Sequence, residues 1–255
     1  MNPRTHILIT GATSGIGEAC SRRLAGPGKV LMLNGRRKDR LDALCRELTA
    51  KHGCSCVPLP FDVRDRHAMA NVLLEAGIER VDILINNAGL ALGLDKLQDG
   101  RTEDWEAMID TNIKGLLYLT RTVLPGMIER GYGHIINIGS IAGKEVYPGG
   151  VVYSATKFAV DALTRGLRMD LLPYGIRVTQ IAPGAAQTEF SQVRFKGDDA
   201  RALQVYAGFE SLKGEDIADI AAFVIDLPDH VNVSDIVVMP TAQASAMLIH
   251  RKAAE

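Results

Sequence analysis

Hydrophobic and polar positions along the chain fall into two alternating patterns: short apolar, β-branched runs and longer stretches with apolar residues three and four apart. The short runs, bounded by turn residues, predict strands at 6–10, 30–34, 55–61, 82–86, 134–138, 177–182 and 236–239. The amphipathic stretches predict helices at about 15–25, 38–51, 66–79, 102–130, 153–172 and 215–227. Strands alternating with helices of this length imply right-handed βαβ crossovers. The expected fold class is therefore α/β, a doubly wound, seven-stranded parallel sheet with helices on both faces. No linker, low-complexity tract or internal repeat interrupts the rhythm, so residues 1–255 are read as a single domain.

Two stretches depart from the pattern. Residues 183–211 are long for a connection in such a fold, and long ordered loops often cover substrate, so a lid is expected over about 185–211. Residues 240–255 form a tail carrying the apolar Met247, Leu248 and Ile249; docking on its own subunit and docking on a neighbour both fit that stripe.

Composition narrows the classes of function. Hydrophobic residues make up 47% of the chain and charged residues 23%, enough for a sizeable core, and the net charge of −1 gives no general attraction to nucleic acid or an anionic membrane. The N-terminal stretch, Met1-Asn2-Pro3-Arg4-Thr5-His6 followed by Ile7-Leu8-Ile9, is too short in apolar length for a signal peptide or a membrane span. The four cysteines, Cys20, Cys45, Cys54 and Cys56, lack CxxC spacing and a histidine partner, and read as reduced thiols of a cytoplasmic protein. The six histidines show no HExxH or HxH spacing, so no metal is expected.

Candidate chemistry begins at the end of the first strand. Thr10-Gly11-Ala12-Thr13-Ser14-Gly15-Ile16-Gly17 is a glycine-rich turn that opens the first helix. Gly11, Gly15 and Gly17 permit a tight turn and close backbone approach. The N–H groups around Thr13, Ser14 and Ile16, with the positive end of the helix, then suit a dinucleotide pyrophosphate. The spacing is GxxxGxG rather than GxGxxG, and a plain strand–helix turn is the competing reading.

The end of the second strand reports on the ribose 2′ position. A site for NAD places a carboxylate there; this chain has Asn34-Gly35-Arg36-Arg37, with no acid before Asp39. Arg36 and Arg37 suit a 2′-phosphate, and positive charge at a helix start otherwise opposes the helix dipole, so NADP(H) is the expected cofactor. Asp62 and Val63 end the third strand and would border the adenine; Asp62 as a simple N-cap is the alternative.

Tyr153-Ser154-Ala155-Thr156-Lys157 is the central candidate. Positions i and i+4 share a helix face, which brings Lys157 near Tyr153. A free phenol has a pKa of about 10, and a nearby ammonium stabilises phenolate, so the pair suits proton transfer near neutral pH. Lys157 is also placed to hold ribose hydroxyls. Ser140 follows the fifth strand and offers a hydroxyl to stabilise developing alkoxide charge. Asn112 lies inside a helical segment, where asparagine is unfavourable unless it has a task; holding a water that links Lys157 to solvent is one.

These motifs, with Asn86-Asn87-Ala88-Gly89 and Pro183-Gly184 in the same order and spacing, resemble those of the short-chain dehydrogenase/reductase superfamily over nearly the whole chain. The resemblance implies a Rossmann-like fold and hydride transfer at C4 of a nicotinamide. It assigns catalysis to Asn112, Ser140, Tyr153 and Lys157, and adds Asn87, Ala88, Gly89, Pro183, Gly184 and Thr188 to the cofactor site. It also implies a homotetramer assembled through two long helices. A closer resemblance, carried by Ala91-Leu92-Gly93, by residues 104–112 and by residues 188–198, is to the NADP-dependent 3-hydroxy acid dehydrogenase branch, which includes serine and allo-threonine dehydrogenases. The chain departs from it at Ala185-Ala186-Gln187, where relatives usually carry bulkier or glycine-rich residues.

A small acid as substrate requires a counter-charge. Arg194 in the lid is the candidate, with a surface salt bridge to Asp198 or Asp199 as the alternative. Lys144, shortly after Ser140, is a second candidate for the anionic substrate, and the neighbouring Glu145 a candidate for an amino group. The expected function is thus an NADP(H)-dependent oxidoreductase of small 3-hydroxy acids such as serine or 3-hydroxypropionate. The competing substrates are sulfoacetaldehyde, a 3-oxoacyl thioester and a diketone. Outside catalysis, an NADP(H)-sensing regulator competes, against which the intact Ser140, Tyr153 and Lys157 argue.

Overall fold

The computed structural model describes residues 5–252; Met1-Asn2-Pro3-Arg4 of the N-terminal stretch and residues 253–255 of the tail lie outside them. β-branched and leucine-rich runs, buried on both faces in the central strands and more open at the edges, form β1 (Thr5–Ile9), β2 (Lys29–Gly35), β3 (Ser55–Pro60), β4 (Ile83–Asn86), β5 (Gly133–Ile138), β6 (Ile176–Pro183) and β7 (Asp235–Val238). They make one parallel sheet in the order β3-β2-β1-β4-β5-β6-β7, as expected from the strand–helix alternation.

Alternation along the strands divides the core. Ile7 and Ile9 of β1 and Leu31 and Leu33 of β2 point to one face, where they meet α1 (Gly15–Arg23), α2 (Lys38–His52) and, through Ile217 and Ala221, α9 (Gly214–Asp226). Leu8, Met32 and Leu84 point to the other, against α3 (Arg66–Glu75) through Met69 and Leu73 and against α5 (Leu116–Arg130) through Leu119, Val123 and Met127. Asp65 caps α3, its carboxylate accepting from the N–H groups of His67 and Ala68 at 3.0 Å each.

Two regions differ from the sequence expectation. The stretch 102–130 is three pieces: α4 (Thr102–Ile109), a π-helical turn over Asp110–Gly115, and α5. Asn112, in the widened turn, directs its amide outside the helix, and such a wide turn is a common device at functional sites. The stretch 183–211 carries two short helices, α7 (Phe190–Arg194) and α8 (Asp199–Gln204), each too short to leave a periodic signal. The tail folds back onto its own chain: Ala246 N donates to Glu145 Oε2 at 2.7 Å, and Lys252 N donates to Gly208 O at 2.7 Å. Among the described residues no helix is long and apolar enough to cross a membrane.

The sheet order reverses direction between β1 and β4, and the crevice at their carboxyl ends is where doubly wound sheets bind ligands. Buried side-chain bonds fix its floor. Asn86 Nδ2 donates to Thr120 Oγ1 and Asn137 Oδ1, each at 2.9 Å, and Asn137 Nδ2 donates to Thr164 Oγ1 at 2.9 Å. This chain of bonds ties β4, β5 and α5 to α6 (Val151–Asp170).

Candidate active site

A cavity of about 510 Å³ opens at that crevice. At one end it is lined by Gly11, Thr13, Ser14, Gly15 and Ile16, with Arg36, Arg37, Asp62 and Val63 beside them; at the other stand Ser140, Tyr153 and Lys157. Asn87, Ala88, Gly89, Pro183, Gly184 and Thr188 line the middle. The cavity therefore unites most residues singled out in the sequence.

The glycine turn is held by side chains of the neighbouring strand end. Thr10 Oγ1 accepts from Asn87 N and Ala88 N at 2.9 Å, and Asn87 Nδ2 donates to Thr10 O at 2.8 Å. Gly17 does not face the cavity, contrary to its expected contact role. It lies behind the turn, where a Cβ would stand 2.3 Å from Gly11 O and 2.5 Å from Asn87 Nδ2. Gly17 is required by this close approach, which leaves the turn's N–H groups to a ligand. Such a cradle fits a pyrophosphate.

At the adenosine end, Arg37 is anchored to the turn: its Nε and Nη2 donate to Thr13 Oγ1 at 3.2 and 3.0 Å, and Nη2 also to Thr13 O at 3.1 Å. Arg36 is exposed beside it. Asp62 does not cap α3, which Asp65 does. Its carboxylate grips Arg64, accepting from Nε at 3.0 Å and from Nη2 at 2.6 Å. Arg40, one helical turn after Arg36 and Arg37, escaped the sequence reading; its i+4 and i+3 spacing from them was the available signal.

At the reaction end, α6 carries Tyr153 and Lys157, both buried. Lys157 Nζ donates to Ile138 O at 2.9 Å and stands 6.0 Å from the centre of the Tyr153 ring. Burial pulls the Lys157 ammonium down to about 8. Burial and the Tyr147 phenol push Tyr153 above the usual range for a phenol, while the Ser140 hydrogen bond and the Arg194 charge draw it the other way. Burial wins, so Tyr153 is a neutral phenol. The i, i+4 spacing reveals the nearby ammonium but not the desolvation that outweighs it.

Asn112 turns out to be a brace. Its Nδ2 donates to Leu90 O and Thr156 Oγ1 at 2.9 Å each, and its Oδ1 accepts from Leu90 N at 2.8 Å. Both N–H donors are committed, which leaves a single lone pair of Oδ1 for a water.

The segment 185–206 completes the pocket wall. Arg194 pairs with neither Asp198 nor Asp199: Asp198 accepts from Arg201 N, and Asp199 from Gln192 Nε2. Its guanidinium instead lies over the rings of Tyr147 and Tyr153, with Nη2 buried and without a hydrogen-bond partner among the described residues. Tyr147, Phe190 and Tyr206 also line the cavity and were missed in the sequence. Lone aromatic residues outside a motif carry no signal of pocket lining. Lys144 is a correction. Its Nζ bonds Asp161 Oδ1 at 2.5 Å and Asp235 Oδ2 at 2.6 Å, and the residue is absent from the cavity wall. Two carboxylates behind the loop outcompete any solvent-facing position. Glu145 is likewise engaged, by the tail.

A crevice at the switch point that joins a phosphate cradle to a buried phenol is the arrangement of dinucleotide-dependent oxidoreductases of the doubly wound class. Residues 5–199 match the family model for short chain dehydrogenases, and the chain belongs to the short-chain dehydrogenase/reductase family, whose enzymes act on CH–OH groups. It is 48% identical over 250 residues to the NADP-dependent 3-hydroxy acid dehydrogenase YdfG of Shigella flexneri, covering 96% of this chain and 99% of that one. It is 47% identical over 249 residues to sulfoacetaldehyde reductase 2 of Chromohalobacter salexigens, covering 96% and 98%. Among solved structures, the closed form of serine dehydrogenase complexed with NADP+ superposes with a TM-score of 0.89 at 47% identity, covering 97% of this chain and 100% of that one.

Proposed function

We propose that the protein interconverts a small 3-hydroxy acid, of the serine or 3-hydroxypropionate type, and its carbonyl form with NADP(H) as cofactor. The observation that carries this reading is Arg194, whose guanidinium lies over the Tyr153 ring and whose buried Nη2 has no hydrogen-bond partner among the described residues. A buried cationic donor without a partner is costly, and a carboxylate beside the reacting carbon relieves that cost.

NADP(H) accepts or supplies the hydride when bound. The glycine turn takes its pyrophosphate, Arg36 and Arg37 the 2′-phosphate, Asp62 and Val63 flank its adenine, and Lys157 holds ribose hydroxyls. Tyr153 exchanges a proton with the substrate oxygen, which Ser140 Oγ positions. In the reduction direction a neutral, desolvated Tyr153 is already protonated and ready to donate to the nascent alkoxide. In oxidation, Lys157 and Arg194 stabilise the phenolate that must form. Asn112 positions α6 through Thr156 rather than contacting substrate.

Residues 185–211 serve as the lid, and residues 1–255 work as one domain in the cytoplasm. Exposed apolar side chains, Ile109 and Leu117 beside the π-helical turn and Val151, Phe158 and Met169 on α6, support assembly into a homotetramer through these helices. Of the competing substrates, a sulfonate aldehyde such as sulfoacetaldehyde shares the anion that Arg194 requires. A 3-oxoacyl thioester or a neutral diketone does not use it.

The test is NADP+ reduction with serine, 3-hydroxypropionate, 3-hydroxyisobutyrate, isethionate and neutral alcohols. Preference for the carboxylates supports the reading. Preference for isethionate moves the substrate to sulfonates, neutral alcohols as the best substrates overturn the anion site, and no turnover with any of these compounds, or in the reverse direction with NADPH and their carbonyl forms, revives the regulator.

A further inference from the structure

Glu189, at the start of α7 and next to Thr188, directs its carboxylate to the adenosine end of the cavity. Its Oε2 accepts from Arg37 Nη1 at 2.8 Å and its Oε1 from Arg40 Nη1 at 2.7 Å. Partial burial favours the neutral acid, but the hydrogen bonds from Arg40 and Arg37 override it and hold the carboxyl below the usual range. The group is therefore an anion at neutral pH. The opposite side of the Arg37 guanidinium is committed to Thr13, so Nη1 is the part left for an outside anion, and Glu189 holds it.

An oxyanion with two oxygens spread over two guanidiniums is also how a phosphate monoester would sit there. Arg36, Arg37 and Glu189 all line the same cavity. A carboxylate and a phosphate dianion on the same guanidinium would repel each other, and so exclude one another.

We propose that Glu189 is an internal competitor for the ribose 2′-phosphate: its carboxylate occupies Arg37 and Arg40 in the cofactor-free protein, and the phosphate displaces it. The inference rests on the NADP(H) reading above. It gives the arginine cluster a second purpose. The lid is tethered to the start of α2 until a 2′-phosphate arrives, and a dinucleotide without that phosphate leaves the tether in place. Discrimination between the two dinucleotides thereby becomes coupled to the position of the lid.

The experiment is calorimetric titration of the wild type, Glu189→Gln and Glu189→Ala with NADP+, NAD+ and adenosine 2′,5′-bisphosphate, without substrate. Half-exposed ion pairs are weak, so both variants are expected to bind NADP+ and the bisphosphate about three- to tenfold more tightly. NAD+ affinity, expected within about twofold of wild type, reports that the cradle is intact. Unchanged or weakened NADP+ affinity in both variants, with a wild type that still prefers NADP+ over NAD+, would overturn the inference alone. A wild type that binds the two dinucleotides equally overturns the NADP(H) reading and the inference with it.

Discussion

The guanidinium carbon of Arg194 lies 5.7 Å from the centre of the Tyr153 ring and 5.4 Å from that of Tyr147. Two bonds to the Gly93 main chain set that position: the side-chain Arg194 Nε donates to Gly93 O at 3.0 Å, and Gly93 N donates to the backbone Arg194 O at 3.0 Å. The end of α7 is thus pinned to the loop after β4 by the same residue that places a positive charge over the phenol. The proposed substrate contact and the tuning of Tyr153 are linked through one side chain.

Arg194→Ala should therefore act more on acids than on alcohols. Loss of a hydrogen bond to a charged group corresponds to roughly 10- to 100-fold, so KM for a 3-hydroxy acid should rise by about that factor. KM for an uncharged alcohol of the same length should change less than about threefold. Steady-state kinetics on the two substrates decide it, and an equal rise in both would count against the carboxylate contact.

Tyr153→Phe keeps the ring that packs 5.6 Å from Phe190 and removes only the hydroxyl. Turnover should fall by about three orders of magnitude, the scale of general acid–base catalysis. NADP+ affinity measured by fluorescence quenching should stay within about threefold. Retained turnover would mean that another group exchanges the proton.

The strand–helix alternation was legible because parallel strands buried on both faces and amphipathic helices each leave a period in the sequence. The glycine turn was legible from its own spacing at a strand–helix junction, and Tyr153 and Lys157 from the i, i+4 separation that puts them on one helix face. Lys144 was misplaced for the opposite reason. Proximity to Ser140 in sequence says nothing about Asp161 on α6 and Asp235 on β7, which reach it only in three dimensions. Glu189 was invisible for the same cause, since it acquires its meaning from partners about 150 residues away, whereas Arg40 left only its helical spacing from Arg36 and Arg37. The break at Asn112 was legible as an oddity, but its bonds to Leu90 and Thr156 were not.

Lys144 now reads as a clamp on the Ser140 loop. Gly143 beside it is pressed so closely on α6 that a Cβ would lie 2.6 Å from Lys157 O, and Gln180 Nε2 completes the cluster by donating to Asp161 Oδ1 at 2.9 Å. Lys144→Met should cost about 2 kcal/mol of stability by leaving two carboxylates facing each other, and should lower kcat by about tenfold. The ratio of KM for acidic and neutral substrates should not move, and Lys144→Arg should restore most of kcat. A selective rise in KM for acids would return Lys144 to the substrate site.

Acid sensitivity of the fold centres on His134, buried on β5. The side chain is 1% exposed, its Nε2 lies 2.8 Å from Thr179 Oγ1, and its Nδ1 has no partner among the described residues. Burial, reinforced by the positive charge of Arg177, pulls its pKa down from 6.5 to about 3. Between those values the unfolded chain carries the proton and the folded chain does not. The contribution is therefore fully present above pH 6.5 and is lost as pH falls toward 3, with a ceiling of about 4 to 5 kcal/mol. His134→Gln removes the titrating group while keeping a donor near Thr179. Denaturant unfolding at pH 7 should find the variant about 1 kcal/mol less stable than wild type, because a neutral imidazole fits the site better. At pH 4 the order should reverse, since the wild-type unfolded state gains a proton that the variant's does not. Parallel stability profiles for the two proteins over this range would show that other groups govern the acid limb.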